Sequence, residues 1–409
     1  KTLERKMDMT QLNININFEE LTEAIMQSDM NMMMKSLAVT VLNAYMEVER
    51  DEFIQAQNYE RNDQRLDYRN GYYERNFTLA VGKLRLKIPR TRSGEFSTQV
   101  FEQYQRKDQA FVLSLMEAVI NGVSTKKVTR IVEELCGESV SKSFVSNTMK
   151  RLDPEIEAFK SRSLTYSSFR YVYVDAMYIK VRENHHVVSK GVYIAQGVNQ
   201  KNRREILGFK VSEEESYASW KQFFQELRER GLTQPRLIIS DAHAGLKKAV
   251  QEIFTGTAWQ RCTVHFLRNM IDQMPKKNSA GARQYLKKIF RSSTLQEAKE
   301  ARQKFEEYVQ EDTRYEAVLA QLDQGFWDGL QYLSEPEDYH ISLRTTNSLE
   351  RLNREIRRRE KVVSIFPNSV SAERLIGAVL MDIQEEWQKG PKPFLKGPIV
   401  DEEETSFTD

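Results

Sequence analysis

The chain has 409 residues, with 61 Lys and Arg against 59 Asp and Glu for a net charge of +2, and two cysteines, Cys136 and Cys262. That length exceeds one compact core and implies two to four domains, while so few cysteines exclude a disulfide framework and point to a reducing interior. No run of about eighteen apolar residues and no signal peptide stands out, so a soluble, cytoplasmic protein is expected, its natural N-terminus extending beyond Lys1.

The near-neutral total conceals local asymmetry. Lys and Arg concentrate at 61–92 and again at 351–361, whereas the stretch from Asp401 to Asp409 is acidic and reads as an unstructured tail (391–409). Two basic blocks suggest a polyanion held at more than one point, although ordinary solvated faces would account for either block alone. Residues 1–60 read as helical, with Leu37, Val41, Leu42 and Tyr45 at helix spacing and a methionine cluster at Met30 and 32–34, a face suited to self-association or to a plain core.

Between 61 and 105 the texture turns to strand. Asn70-Gly71 signals a turn, and residues 77–90 read as a hairpin with Leu84, Leu86 and Ile88 on one face and Lys83, Arg85 and Lys87 on the other, either a phosphate contact or an ordinary edge strand. Residues 106–160 give three helical patterns at helix-turn-helix spacing, broken at Asn121-Gly122 and Gly137. Capping is expected at Ser124 and at Ser141 or Ser143. The third pattern runs to about Leu152 and carries Lys142, Ser146, Asn147, Lys150 and Arg151, side chains able to meet phosphates and base edges.

After Ser161 strands are expected at 170–181, 187–198 and 205–211 as an antiparallel meander, then a helix at 217–230. Asp175 follows a run of strong strand formers, Tyr171 to Val174, and a carboxylate beside such a run must be paired, hydrogen-bonded or bound to metal. The pattern repeats in Leu237 to Ser240, which ends in Asp241 and leads to Gly245 and a helix. A turn or helix cap would also use an Asp there. If the two acids lie side by side they repel unless divalent cations sit between them, the arrangement of a two-metal phosphodiester site. Cys262 and His265 have metal-ligand spacing, but no second ligand pair is evident, so a zinc site is not expected and Cys262 is expected only to pack. The stretch 268–342 reads as an inserted helical segment, clearest at 285–290, 295–309 and 315–333. Beyond it, Glu350, Asn353, Arg354 and Arg357 share one helical face, as in an active-site helix or a solvated one with Glu/Arg pairs.

Taken together, these motifs are recognisable. Asp175 within 173–178, Asp241 within 240–246, Cys262 and His265 followed by Arg268-Asn269, and the stretch from Thr345 through Glu350 to Arg354 resemble the bacterial Mutator-like insertion-sequence transposases, as do Arg69 to Tyr72, Ile88 to Arg90 and Gly122 to Thr125 upstream. The resemblance spans about 60–385. It implies an α/β RNase H-like mixed-sheet catalytic domain (161–267 and 343–390) interrupted by an all-α insertion (268–342) and preceded by helical and helix-turn-helix-like DNA-binding regions. It further implies a DDE triad of Asp175, Asp241 and Glu350 holding two Mg²⁺ (or Mn²⁺) ions, with Glu355 facing elsewhere. His265 would lie near the scissile phosphate or an adjacent base, and Arg268, Asn353, Arg354 and Arg357 along the DNA. A homodimer on paired terminal inverted repeats, cleavage and strand transfer, and a circular DNA intermediate are expected. A domesticated DNA-binding protein without catalysis and a stand-alone metal-dependent nuclease are the alternatives.

Overall fold

The computed structural model describes residues 30–57, 60, 64–79, 82–98, 100, 109–136, 141–390 and 393–397; the first 29 residues and 398–409 lie outside them, while 393–397, expected within an unstructured tail, are held, with Leu395 buried and its N–H and carbonyl both bonded to the Asn202 side chain at 2.8 Å. Two compact units divide at Met149 and Lys150.

In the first unit, helix α1 (Met30–Ile54) packs on a hairpin of β1 (Arg69–Leu79) and β2 (Gly82–Thr91). Strict alternation along β2 buries Leu84, Leu86 and Ile88 with Phe77 and Met46, and exposes Lys83, Arg85 and Lys87, the period-two pattern of a half-buried strand. One expectation changes: Asn70-Gly71 is no turn between elements but an irregularity inside β1, where Gly71 takes φ +69° and the register shifts. Beside the basic row of β2, Glu74 on β1 stands across from Lys87 and pairs with Arg85 at 3.0 Å.

Three helices follow: α2 (Gln109–Ile120), α3 (Thr125–Cys136) and α4 (Lys142–Met149), closed around Leu115, Val128 and Val145. Gly122 at φ +89° makes the first turn, Ser124 Oγ accepts the Lys127 N–H at 3.3 Å, and Ser141 Oγ accepts that of Phe144 at 3.0 Å, so Ser141 rather than Ser143 caps α4. The α-helix stops at Met149, short of Leu152. A 3-10 turn, Lys150–Leu152, then leads into α5 (Asp153–Ser161), a helix beyond the three expected patterns; Pro154 sits in its first turn, where proline lacks only a donor with no partner to lose.

The second unit is a mixed α/β structure on a five-stranded sheet of order β5-β4-β3-β6-β7. Strands β3 (Tyr171–Glu183), β4 (His186–Val198) and β5 (Arg204–Ser212) form the antiparallel meander, and β6 (Leu237–Ser240) and β7 (Ala258–Arg261) add parallel to β3. Helices α6 (Tyr217–Glu229) and α7 (Ala244–Ile253) cover one face, where Trp220, wholly buried, stacks on Phe224 at 5.5 Å and meets Tyr193 edge-on at 4.5 Å. Burial of such a ring contributes about 1.5–3 kcal/mol, which makes this layer the main core.

After β7 come α8 (Thr263–Gln273), α9 (Ala280–Ile289), α10 (Leu295–Val309), α11 (Glu316–Gly325) and α12 (His340–Leu343). The helix expected at 315–333 stops at Gly325, where a Cβ would come within 2.5 Å of the Phe266 ring, and a turn over 326–329 and one 3-10 turn, Gln331–Ser334, take the place of the rest. Helix α8 runs through residue 268, so that expected boundary falls within one continuous helix. The chain returns through α13 (Asn347–Val363), with five buried positions on a helix otherwise rich in charge, and ends in α14 (Ser369–Lys389). No helix among the described residues is long and apolar enough to cross a membrane.

Candidate active site

Strand register sets the site. Pairing of β3 with β6 stops at Tyr173 and Ile239, and β6 with β7 at Ser240 and Arg261. Continued in step, these registers bring Asp175, Asp241 and Cys262 level at the carboxyl edge of three parallel strands, the edge where open α/β sheets hold ligands. Asp175 is not at the end of its own strand, since β3 runs on beside β4 with Asp175 opposite Ile194; it stands where the parallel neighbour ends.

Two helices complete the cluster. His265, in the first turn of α8, presses Nδ1 against Asp241 Oδ1 and sets Nε2 3.0 Å from Glu350 Oε1 on α13. One turn further along α13, Asn353 donates from Nδ2 to Asp175 Oδ2 at 2.7 Å, while Asp175 Oδ1 accepts the Ala176 N–H at 2.9 Å. Cys262 does more than pack. Its Sγ accepts hydrogen bonds from Thr346 N at 3.4 Å and Thr346 Oγ1 at 3.3 Å, and the Arg344 carbonyl accepts the Thr263 N–H at 2.9 Å, so this thiol fixes the start of the Glu350 helix against the end of β7.

The electrostatics follow from that crowding. Burial first, and then the charge of Asp241, push the Asp175 carboxyl up to about 7. Contact with Asp241 and then with Cys262 raises His265 to about 10, so the ring is a cation at neutral pH. Burial pushes the Cys262 thiol up, but contacts from His265 and Thr346 outweigh it and the net shift is downward. Asp241, Cys262 and His265 offer ligand atoms within 4.8 Å of one another, a third donor that the sequence spacing did not reveal.

The other expected residues are dispersed. Arg354 and Arg357 are exposed on α13, and Arg268 on α8. Glu355 is turned away, paired with Arg358 at 3.2 Å and with Arg359. Lys142, Ser146 and Asn147 are exposed on α4, Lys150 and Arg151 on the turn after it, and Lys83, Arg85 and Lys87 on β2. A further carboxylate, Glu215, was not foreseen; the Tyr178 hydroxyl donates to it at 3.3 Å, Trp220 Nε1 at 3.2 Å, and its charge reaches Asp175.

The second unit thus presents a mixed α/β sheet whose carboxyl edge carries acids gathered about a charged imidazole. Comparison with known proteins identifies the lineage. The chain belongs to the Mutator family of transposases, whose pattern matches residues 9–390. It is 47% identical over 387 residues to the transposase for insertion sequence element IS256 in transposon Tn4001 of Staphylococcus aureus, covering 95% of this chain and 99% of that protein. It is 42% identical to the transposase for insertion sequence element ISRM5 of Rhizobium meliloti, over 86% of this chain and 87% of that one. Among solved structures, the crystal structure of the Mos1 strand transfer complex matches at 12% identity with a TM-score of 0.17, over 55% of this chain and 81% of that chain.

Proposed function

We propose that this transposase cuts one DNA strand at each terminal inverted repeat of an insertion sequence and joins the freed 3′-hydroxyl to another phosphodiester, with Asp175, Asp241 and Glu350 as the acids of a DDE centre in an RNase H-like domain. The observation that carries the reading is the gathering of these three carboxylates around His265 from β3, the end of β6 and α13.

Two Mg²⁺ or Mn²⁺ ions suit the donor set. The acids supply hard oxygens, burial and the charge of Asp241 let Asp175 hold a proton up to about 7, and the amide oxygen of Asn353 is buried with no hydrogen-bond donor. Asp175, Asp241 and Glu350 would hold the ions, whose contribution when bound is to activate the attacking oxygen and stabilise the leaving one. Asn353 fixes the orientation of Asp175. His265, charged at neutral pH, has Nδ1 on Asp241 and Nε2 on Glu350 in this structure and would turn one N–H to the scissile phosphate, or to the base beside it, when DNA is bound. Arg268, Arg354 and Arg357 meet the phosphate backbone. Lys142, Ser146, Asn147, Lys150 and Arg151 read the element end, and Lys83, Arg85 and Lys87 anchor it. The helical stretch between α8 and α13 is an insertion in the catalytic domain, a homodimer pairs the two ends, and a circular intermediate carries the element.

The Asp241, Cys262 and His265 cluster favours a second reading, a zinc centre. Against it, the Cys262 sulfur is already engaged by Thr346, and Asp175 and Glu350 would be left without a role. The deciding experiment is incubation of the chain with Mg²⁺ and labelled DNA bearing the element ends. Single-strand nicks followed by joined products are expected. Nicks alone would indicate a nuclease, and binding without either product a DNA-binding protein.

A further inference from the structure

The loop after β2 folds back on the hairpin and leaves a groove of about 910 Å³ that the site above does not use. Tyr73, Arg75 and Asn76 of β1, the segment from Pro89 to Arg92, and loop residues 94–98 line it. The loop is held in place. Asp67 accepts the Ser93 N–H at 3.2 Å and the Tyr68 N–H at 2.6 Å, the Thr98 hydroxyl donates to Glu49 of α1, and Phe96 meets the Phe53 ring of α1 at 5.6 Å.

The lining chemistry is specific. The Arg90 guanidinium lies 5.7 Å over the Tyr73 ring and that of Arg92 lies 5.6 Å over Tyr68, and among the described residues neither arginine has a carboxylate partner. Of the two lining acids, Glu74 is engaged by Arg85, leaving Glu95 beside the Arg90 and Arg92 guanidinium groups. Tyr73 is 43% exposed and Tyr68 57%. Rings shown to solvent beside cations form a stacking platform for nucleic-acid bases, with phosphates on the arginines. In a duplex the base faces are hidden in the stack, so such rings offer little to paired DNA. Unpaired DNA presents those faces.

We infer that this groove binds an unpaired DNA strand, its bases on Tyr73 and Phe96 and its backbone on Arg90 and Arg92. The inference rests on the strand-cutting reading only in its source of ligand, a strand freed at a nicked end. The test is fluorescence polarisation of the full chain with labelled oligothymidylate and, separately, with duplex element ends, at several salt concentrations. Wild type is expected to bind both. Tyr73→Ala and Arg90→Ala should each weaken binding to the single strand about tenfold or more and change duplex binding less than about twofold. Arg90→Ala should also lower the salt slope on the single strand by about 0.7, and Tyr73→Phe, which keeps the ring, should bind like wild type. Arg90 is exposed, so its variant tests the groove even if Tyr73→Ala misfolds. Wild-type binding of duplex ends without single strand, equal loss on both substrates, or no loss in either variant overturns the groove alone. Absence of binding to DNA of either form overturns the proposed function with it.

Discussion

Asp175 and His265 both keep a proton longer in the folded protein than in the unfolded chain, and this fixes the sign of the pH dependence. Asp175 moves from an ordinary 3.8 up to about 7 and His265 from 6.5 up to about 10. Between each pair of values the folded form holds the proton and the unfolded form does not, so stability falls as pH rises through both windows. The metal-free protein should therefore melt at progressively lower temperature from pH 5 to 9, and Asp175→Asn should flatten the lower half of that decline. A melting temperature that rises over this range would contradict the burial of Asp175. Asp175→Ala, Asp241→Ala and Glu350→Ala should each abolish cleavage and joining while leaving end binding nearly intact in gel shifts; an active Glu350→Ala beside a dead Glu355→Ala would move the third acid. His265→Ala should slow cleavage roughly a hundredfold. Cys262→Ser should keep most activity because a hydroxyl can accept the Thr346 bonds, and elemental analysis should find no stoichiometric zinc. Asp175 and Asp241 were legible because each interrupts an apolar run. The link from Cys262 to Thr346 was not, because nothing local in either segment announces a contact between 262 and 346.

Elements were legible where a period governs them. The alternation along β2 and the turns of α2, α3 and α4 can be read from spacing, since one face of each must be apolar to close its small core. Long-range fit decided the rest. Gly325, the last residue of α11, leaves room for Phe266 and Arg261 that a side chain would fill, and Pro154 lies in the first turn of α5. Glu350 is the clearest case, because on sequence alone α13 is equally a solvated helix with Glu/Arg pairs. Its buried stripe, Leu349, Leu352 and Ile356, seats it in the second unit and presents Glu350 to His265. The two proposed DNA-contacting elements of the first unit, α4 and β2, should separate in their DNA energetics. Asn147→Ala on α4 should weaken binding to the cognate end more than to random DNA, as loss of a base-edge contact does. Lys83→Ala, Arg85→Ala and Lys87→Ala should lower affinity for all sequences and reduce its salt slope, most weakly for Arg85, which Glu74 already engages. Equal loss on both DNAs for Asn147→Ala would place recognition elsewhere.

Across the whole second unit, the chain between α8 and α13 must leave the sheet and return without disturbing the acids at its carboxyl edge. That the chain between β7 and α13 is largely helical was readable from its periodic, charged texture; how it is tied down was not, since the tie joins residues far apart in sequence. Glu335, 3% exposed at its side chain, accepts from the Tyr171 hydroxyl at 2.7 Å and from Arg236 Nε at 2.5 Å, and its carbonyl accepts from His340 Nε2 at 2.8 Å. Tyr171 begins β3, on the side of the parallel ladder away from Asp175, and Arg236 immediately precedes β6, whose other end leads to Asp241. The anchor therefore bears on stability and not on chemistry. Glu335→Ala removes the acceptor for a buried phenol and the partner of Arg236, whose side chain is one third exposed and can hydrate, so the loss should be about 2–3 kcal/mol rather than that of a fully buried broken pair. Glu335→Gln keeps an oxygen for Tyr171 and should lose about half as much. Urea unfolding measures both, and cleavage per folded molecule should stay near wild type. A variant of full stability with failed cleavage would mean that the position of the helical segment, rather than its attachment, acts on the acids.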